Sequence, residues 1–242
     1  MRAVAVPGPD LKEPTRVRTY PVVRALLRPV AHMLPHRALA AGSVLGLLLA
    51  AVPRLYERPD AELGVGLLRA AALAFALGAA FLLDDPARHI TAAVPTGRAV
   101  RVGLRMALVA PLAVLWWTAA LLLVPEAARP PVGAMTLEAA ATLALALAAA
   151  TAAVRFSGQS EPGLGAAGGL LAAAVAATLL PVPLGLLVPV ADPGWDSAHQ
   201  RWAAVLAGAV LVCAYCMREA VRPNASRAAL TSPSGTSGPP RR

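Results

Sequence analysis

Adjacent carboxylates at Asp84 and Asp85 would suit a divalent cation on a diphosphate if the run continued as DDxxD, but the fifth position is Arg88 and the metal-binding pair is incomplete. Cys213 and Cys216 have CxxC spacing, yet no second ligand pair accompanies them and both lie in an apolar run, which favours small buried residues over a metal or redox site. Gly163, Gly165 and Gly168 match GxGxxG, but no strand precedes them and no carboxylate follows at the ribose distance of about 20 residues. Gly165 and Gly169 better suit close contact between helices. GxSxG, HExxH and Walker A sequences are absent, and the histidines His32, His36, His89 and His199 are spread over different segments. These residues predict a chain that is not an enzyme and has no cofactor or metal of its own.

Two other charges stand inside apolar runs, Arg69 and Glu138. An unpaired charge at the centre of a membrane helix costs about 2.5 to 3.5 kcal/mol on insertion scales. Both residues lie a few positions into their runs, at similar depth from one side, so they can form an intramembrane pair. The alternative is two side chains that snorkel independently.

The elements that must position them are membrane helices. Of 242 residues 57% are hydrophobic and 14% charged, and the mean hydropathy is +0.62, outside the range of soluble domains. Aromatic residues make up only 4%, so the apolar mass is Ala, Leu and Val, which favours helices packed through small side chains. An all-α polytopic bundle of about six spans is predicted. The apolar runs are Ala38–Val52, with an extension towards Tyr56, Leu63–Leu83, Met106–Val124, Ala134–Val154, Leu164–Val190, and a sixth from Trp195 or Trp202 to Met217. A span needs about 20 residues, so the first and sixth runs are short. Pro181, Pro183 and Pro189 interrupt the fifth, predicting either a kinked span or a span plus a re-entrant piece. Five or seven crossings stay open on hydropathy alone.

The net charge of +9 is distributed between the apolar runs rather than along one face, which argues for membrane orientation and against nucleic acid. Seventeen basic residues fall on one side of a six-span topology and four on the other. The positive-inside rule then places both termini in the cytoplasm, in the inner membrane of a bacterial cell. Residues 1–37 form a basic segment in which Val23, Leu26, Leu27, Val30 and Leu34 recur at helical spacing, predicting an interfacial helix on membrane lipid or, because prolines punctuate it, an irregular tail. Residues 38–217 form the membrane domain. Residues 218–242, rich in Pro, Ser and Gly from Pro223, form a disordered tail.

The loop between the second and third runs contains the remaining candidate site. Asp84 and Asp85 stand where helix carbonyls already concentrate negative charge, so they are expected to serve the next element. Asp85 as N-cap with Pro86 at the first helical position predicts a short helix through Arg88 and His89, stopped before Pro95. Such a helix is too short to be stable alone and needs a protein groove or the membrane surface. Arg98, Arg101 and Arg105 suit lipid headgroups as an alternative to a partner.

The stretch FLLDDPARHITAAVPTGRAVRVGLR, Phe81 to Arg105, with Trp116 and Trp117 in the following run, resembles actinobacterial ABC transporter permease subunits. The resemblance implies six spans with cytoplasmic ends, a separate ATP-binding subunit docked on the loop after the second span, and an open choice of homo- or hetero-dimer. The chain departs from general exporter permeases in having no large external domain. A membrane scaffold or regulatory subunit with no transported substrate is the alternative expectation.

Overall fold

The structure, a computed structural model, describes residues 35–84, 98–157, 161–181 and 184–218. The expected interfacial helix, the terminal tail and the segment with Asp85, Pro86, Arg88, His89 and Pro95 lie outside the described residues. Among those described, every regular element is helical: α1 His36–Ala51, α2 Ala61–Ala80, α3 Arg98–Leu123, α4 Val132–Phe156, α5 Gly163–Thr178 and α6 Trp195–Met217. Turns of 3-10 helix extend α1 to Leu55 and α2 to Leu83. Five of these passes are long and apolar enough to cross a membrane, and α5, at 16 residues, is shorter. The protein is a polytopic helical membrane bundle.

The first and sixth passes are full length, although their apolar runs are short. The first runs from His36 to Leu55 and the sixth from Trp195 to Met217. Hydropathy understates both because polar residues occupy their ends: His36 and Arg37 in one, Asp196, His199 and Arg201 in the other. The start of α2 is set by Asp60, whose side chain accepts the Leu63 N–H at 2.8 Å as an N-cap.

The fifth run carries a helix over its first part only, Gly163–Thr178. Its helix begins at the end of the bundle occupied by Asp84, where the Gly163 N–H meets the Asp84 carboxylate. At about 1.5 Å per residue α5 covers about 24 Å, short of the roughly 30 Å apolar core of a bilayer. Beyond it, residues 184–194 are irregular, and the Val190 N–H reaches Glu62 at the start of α2, the opposite end of the bundle. Residues 36 and 217 lie at the same end of the bundle.

α2 is the most enclosed pass. It meets α1 along a glycine seam: a Cβ on Gly42 would fall 2.5 Å from the Ala74 carbonyl oxygen, and one on Gly78 would fall 2.6 Å from that of Ala38. Close backbone approach of this kind is how membrane helices gain packing without a hydrophobic driving force. Gly165 and Gly169 do not serve that purpose, because a Cβ on either would meet nothing within 4 Å. α3 is held to α1 and α2 by Trp116, which stacks on Phe75 at 4.4 Å between centroids and donates from Nε1 to the Ser43 carbonyl at 3.0 Å. Ala148 of α4 packs with Ala209 and Cys213 of α6, and Cys213 and Cys216 are free and buried. Leu112, Val114 and Leu115 on α3 and Val210 and Leu211 on α6 point outward, as lipid-facing residues do.

Candidate functional site

The structure brings Arg69 of α2 and Glu138 of α4 together in a two-pronged ion pair. Arg69 Nε donates to Glu138 Oε2 at 2.7 Å and Nη2 to Oε1 at 2.8 Å. Two parallel N–H···O bonds are the strongest geometry a guanidinium and a carboxylate form. The Glu138 side chain is 4% exposed, so the pair lies inside the bundle rather than at its rim. Because α2 begins at Ala61 and α4 at Val132, the two residues lie about 12 and 9 Å along their helices, deeper than the apolar runs alone imply.

Two residues of α6 complete the cluster, and neither belongs to the sequence-derived pair. His199 Nε2 stands 3.1 Å from Glu138 Oε1, and His199 Nδ1 lies 2.8 Å from the Trp195 carbonyl oxygen one turn earlier. The Trp195 ring packs on the His199 ring with centroids 4.3 Å apart, and the Arg69 guanidinium lies 5.9 Å from a Trp195 ring centroid. The signal that could have found His199 is depth: it is four residues into α6, which begins at the same end as α2 and α4.

The cluster also holds the irregular part of the fifth pass. Arg69 Nη2 donates to the Val188 carbonyl at 3.3 Å, Trp202 Nε1 to that of Leu186 at 2.9 Å, and Glu62 Oε1 accepts the Val190 N–H at 2.8 Å. Non-helical backbone at membrane depth is tolerated only where protein groups replace the missing internal hydrogen bonds. Next to it lies a cavity of about 210 Å³ whose lining includes Arg69, Glu138, Thr142, Thr178, Leu187 and Trp202. A second, largely apolar cavity of about 470 Å³ opens between α3 and α4, where Trp117 Nε1 donates to Thr136 Oγ1 at 3.0 Å.

At the other end of the bundle, Asp84 meets the start of α5. Its Oδ1 accepts the Gly163 N–H at 2.7 Å, placing a carboxylate at the N-terminus of α5, where the helix dipole favours negative charge. Burial pushes the Asp84 carboxyl above its ordinary value; the Gly163 hydrogen bond opposes that, Glu161 adds to it and Arg105 counters it. The Arg105 side chain is buried, with Nη1 at 3.4 Å from the Leu82 carbonyl and 3.3 Å from that of Asp84. Among the described residues no group of three His, Cys, Asp or Glu side chains could hold a metal ion.

No family model, curated protein or solved structure matches the chain.

Proposed function

We propose that this protein is the membrane-spanning, permease-like subunit of a transporter in the bacterial inner membrane, with both termini in the cytoplasm, driven by a separate ATP-binding subunit. The observation that supports transport most directly is the interrupted fifth pass lying against an intramembrane Arg–Glu pair and a cavity. Broken helices beside buried charge are the usual setting of a translocation site, since a continuous helix has no free backbone groups to offer a substrate. Dependence on a partner follows from the lack of any phosphate-cradling sequence in the chain. The sequence of the 85–97 segment, with Asp85 and Pro86 at a helix start and arginines after it, suits a docking element for that partner on the side richer in arginine.

The test is purification of the tagged protein in mild detergent followed by an ATPase assay of whatever accompanies it. An accompanying ATPase is expected, and Asp85→Ala and Pro86→Gly should weaken its co-purification without reducing the amount of inserted protein. Unchanged co-purification in both variants removes the docking assignment, and absence of any ATPase favours the scaffold alternative. Orientation is read separately. A reporter active only in the cytoplasm should work when fused after Arg222 and fail when fused after Ala127.

A further inference from the structure

Two cavities of different character share one wall. The larger, about 470 Å³, is a crevice between α3 and α4 floored by Ala72 and Phe75 of α2, and the smaller, about 210 Å³, holds Arg69 and Glu138. Ala72, Trp117 and Ala139 line both, so among the described residues Trp117 is the large side chain that divides them. The crevice opens outward at Val114, Thr118 and Thr136, which are exposed. In a membrane bundle that face meets lipid. Every side-chain donor that lines it is already used: Trp117 Nε1 on Thr136 Oγ1, Trp116 Nε1 on the Ser43 carbonyl, and the Thr136 and Thr118 hydroxyls on the Val132 and Val114 carbonyls. Val132 and Leu143 both line the crevice, so it runs roughly 16 Å along α4, and its volume over that length gives a mean width of about 6 Å. A helix, about 10 to 12 Å across with its side chains, does not fit. A single hydrocarbon chain does, since carbon atoms in contact stand about 4 Å apart.

The smaller cavity is polar where the crevice is not. Arg69 donates from Nε to Glu138 and from Nη2 to Glu138 and Val188, so among the described residues its Nη1 hydrogens are left for a ligand. The Thr142 and Thr178 hydroxyls donate to the Glu138 and Val175 carbonyls and keep lone pairs of their own. Arg69 and Glu138 cancel each other's charge, and an ionised ligand group would add an unmatched charge to an enclosed site. We propose that the two cavities together bind one single-chain amphiphile from the bilayer, its hydrocarbon chain in the crevice and an uncharged, oxygen-bearing head beside Arg69. The molecule enters sideways from lipid, and displacement of the Trp117 ring joins the two compartments. A monoacylglycerol has the required parts: one chain, oxygens that accept from Arg69 Nη1, and hydroxyls that donate to the threonines. This names a substrate class for the transport proposal and rests on that reading for the transport step, whereas binding is measured without an ATPase and stands or falls separately.

The experiment is photolabelling of the full-length protein in native membrane vesicles with a monoacylglycerol that carries a diazirine on its acyl chain, the adducts being located by mass spectrometry. Saturable adducts are expected on the crevice, at Val114, Thr118 or Ala140. Unlabelled monoacylglycerol should displace them at a concentration roughly tenfold lower than hexadecane or an alkyl phosphate of the same chain length. Two substitutions separate the parts of the site, because Ala140 lines the crevice alone and Ala177 the Arg69 cavity alone. Ala140→Phe and Ala177→Leu should each lower saturable labelling roughly tenfold, the effect of excluding about two methylenes. Unchanged labelling in Ala177→Leu shows an ordinary lipid chain lying in a groove and overturns the proposal. Equal displacement by all three competitors overturns it too, and that result comes from the parent protein even where a filled variant fails to accumulate. Adducts spread evenly onto Leu112 and Leu115, outside the crevice, have the same consequence.

Discussion

At the end of the bundle that holds Asp84 and Arg105, each charged side chain acts on the terminus of a helix; at the opposite end Arg69 and Glu138 act on each other. Asp84 caps α5, and Arg105 lies over the last carbonyls of the second pass. Both contacts bring a charge to a backbone dipole at a helix end. The Arg69–Glu138 pair is different in kind. Removing either member leaves a full charge enclosed, together with an irregular backbone segment that has lost its donor or its anchor. The first end closes the fold, whereas the second holds the irregular segment around Val188 against the bundle.

Substitutions should separate the ends by size of effect. Glu138→Gln should cause the largest loss, about 3 to 5 kcal/mol if Arg69 stays enclosed, less the relief that Arg69 gains by turning towards the bundle end. Thermal unfolding in detergent and the amount of inserted protein both report it. Asp84→Ala should cost about 0.5 to 2 kcal/mol as a lost cap. Asp84→Asn, which keeps an oxygen for the Gly163 N–H and removes the ionisation penalty, should cost less at neutral pH. Because burial raises the Asp84 carboxyl above its ordinary value, its contribution is fullest below that ordinary value and declines as pH rises through the raised one. The difference in melting temperature between parent and Asp84→Asn should shift against the parent across that acid window; an opposite shift would show that the Gly163 bond outweighs burial. Arg105→Met should also lower the melting temperature, because it removes the contacts of Nη1 with the Leu82 and Asp84 carbonyls and the positive charge beside the Asp84 carboxyl.

The bundle and the Arg69–Glu138 pairing were legible because both depend on one-dimensional quantities: apolar run length, and depth along a span counted from a shared side. His199 escaped because a histidine four residues into a run lowers local hydropathy and moves the apparent start of α6 towards Trp202. The glycines teach a related limit. Gly42 and Gly46 have the same spacing as Gly165 and Gly169, but only the first two meet a neighbouring helix. Spacing shows that a face is small, not what stands opposite it. Pro181 and Pro183 announced a break in the fifth pass. The way it is repaired depends on Arg69, Trp202 and Glu62, which lie far away in sequence. The contact of Asp84 with Gly163 had no local signal, because the two are 79 positions apart.

The central claim is that Arg69 and Glu138 act as one unit holding the fifth pass. A double-mutant cycle tests it most directly, with the melting temperature and membrane accumulation of Arg69→Gln, Glu138→Gln and the double variant compared with the parent. The account predicts a large loss in each single variant and partial recovery in the double, because removing both charges leaves neither enclosed without a partner. Strictly additive losses would contradict it and show two side chains that reach water independently.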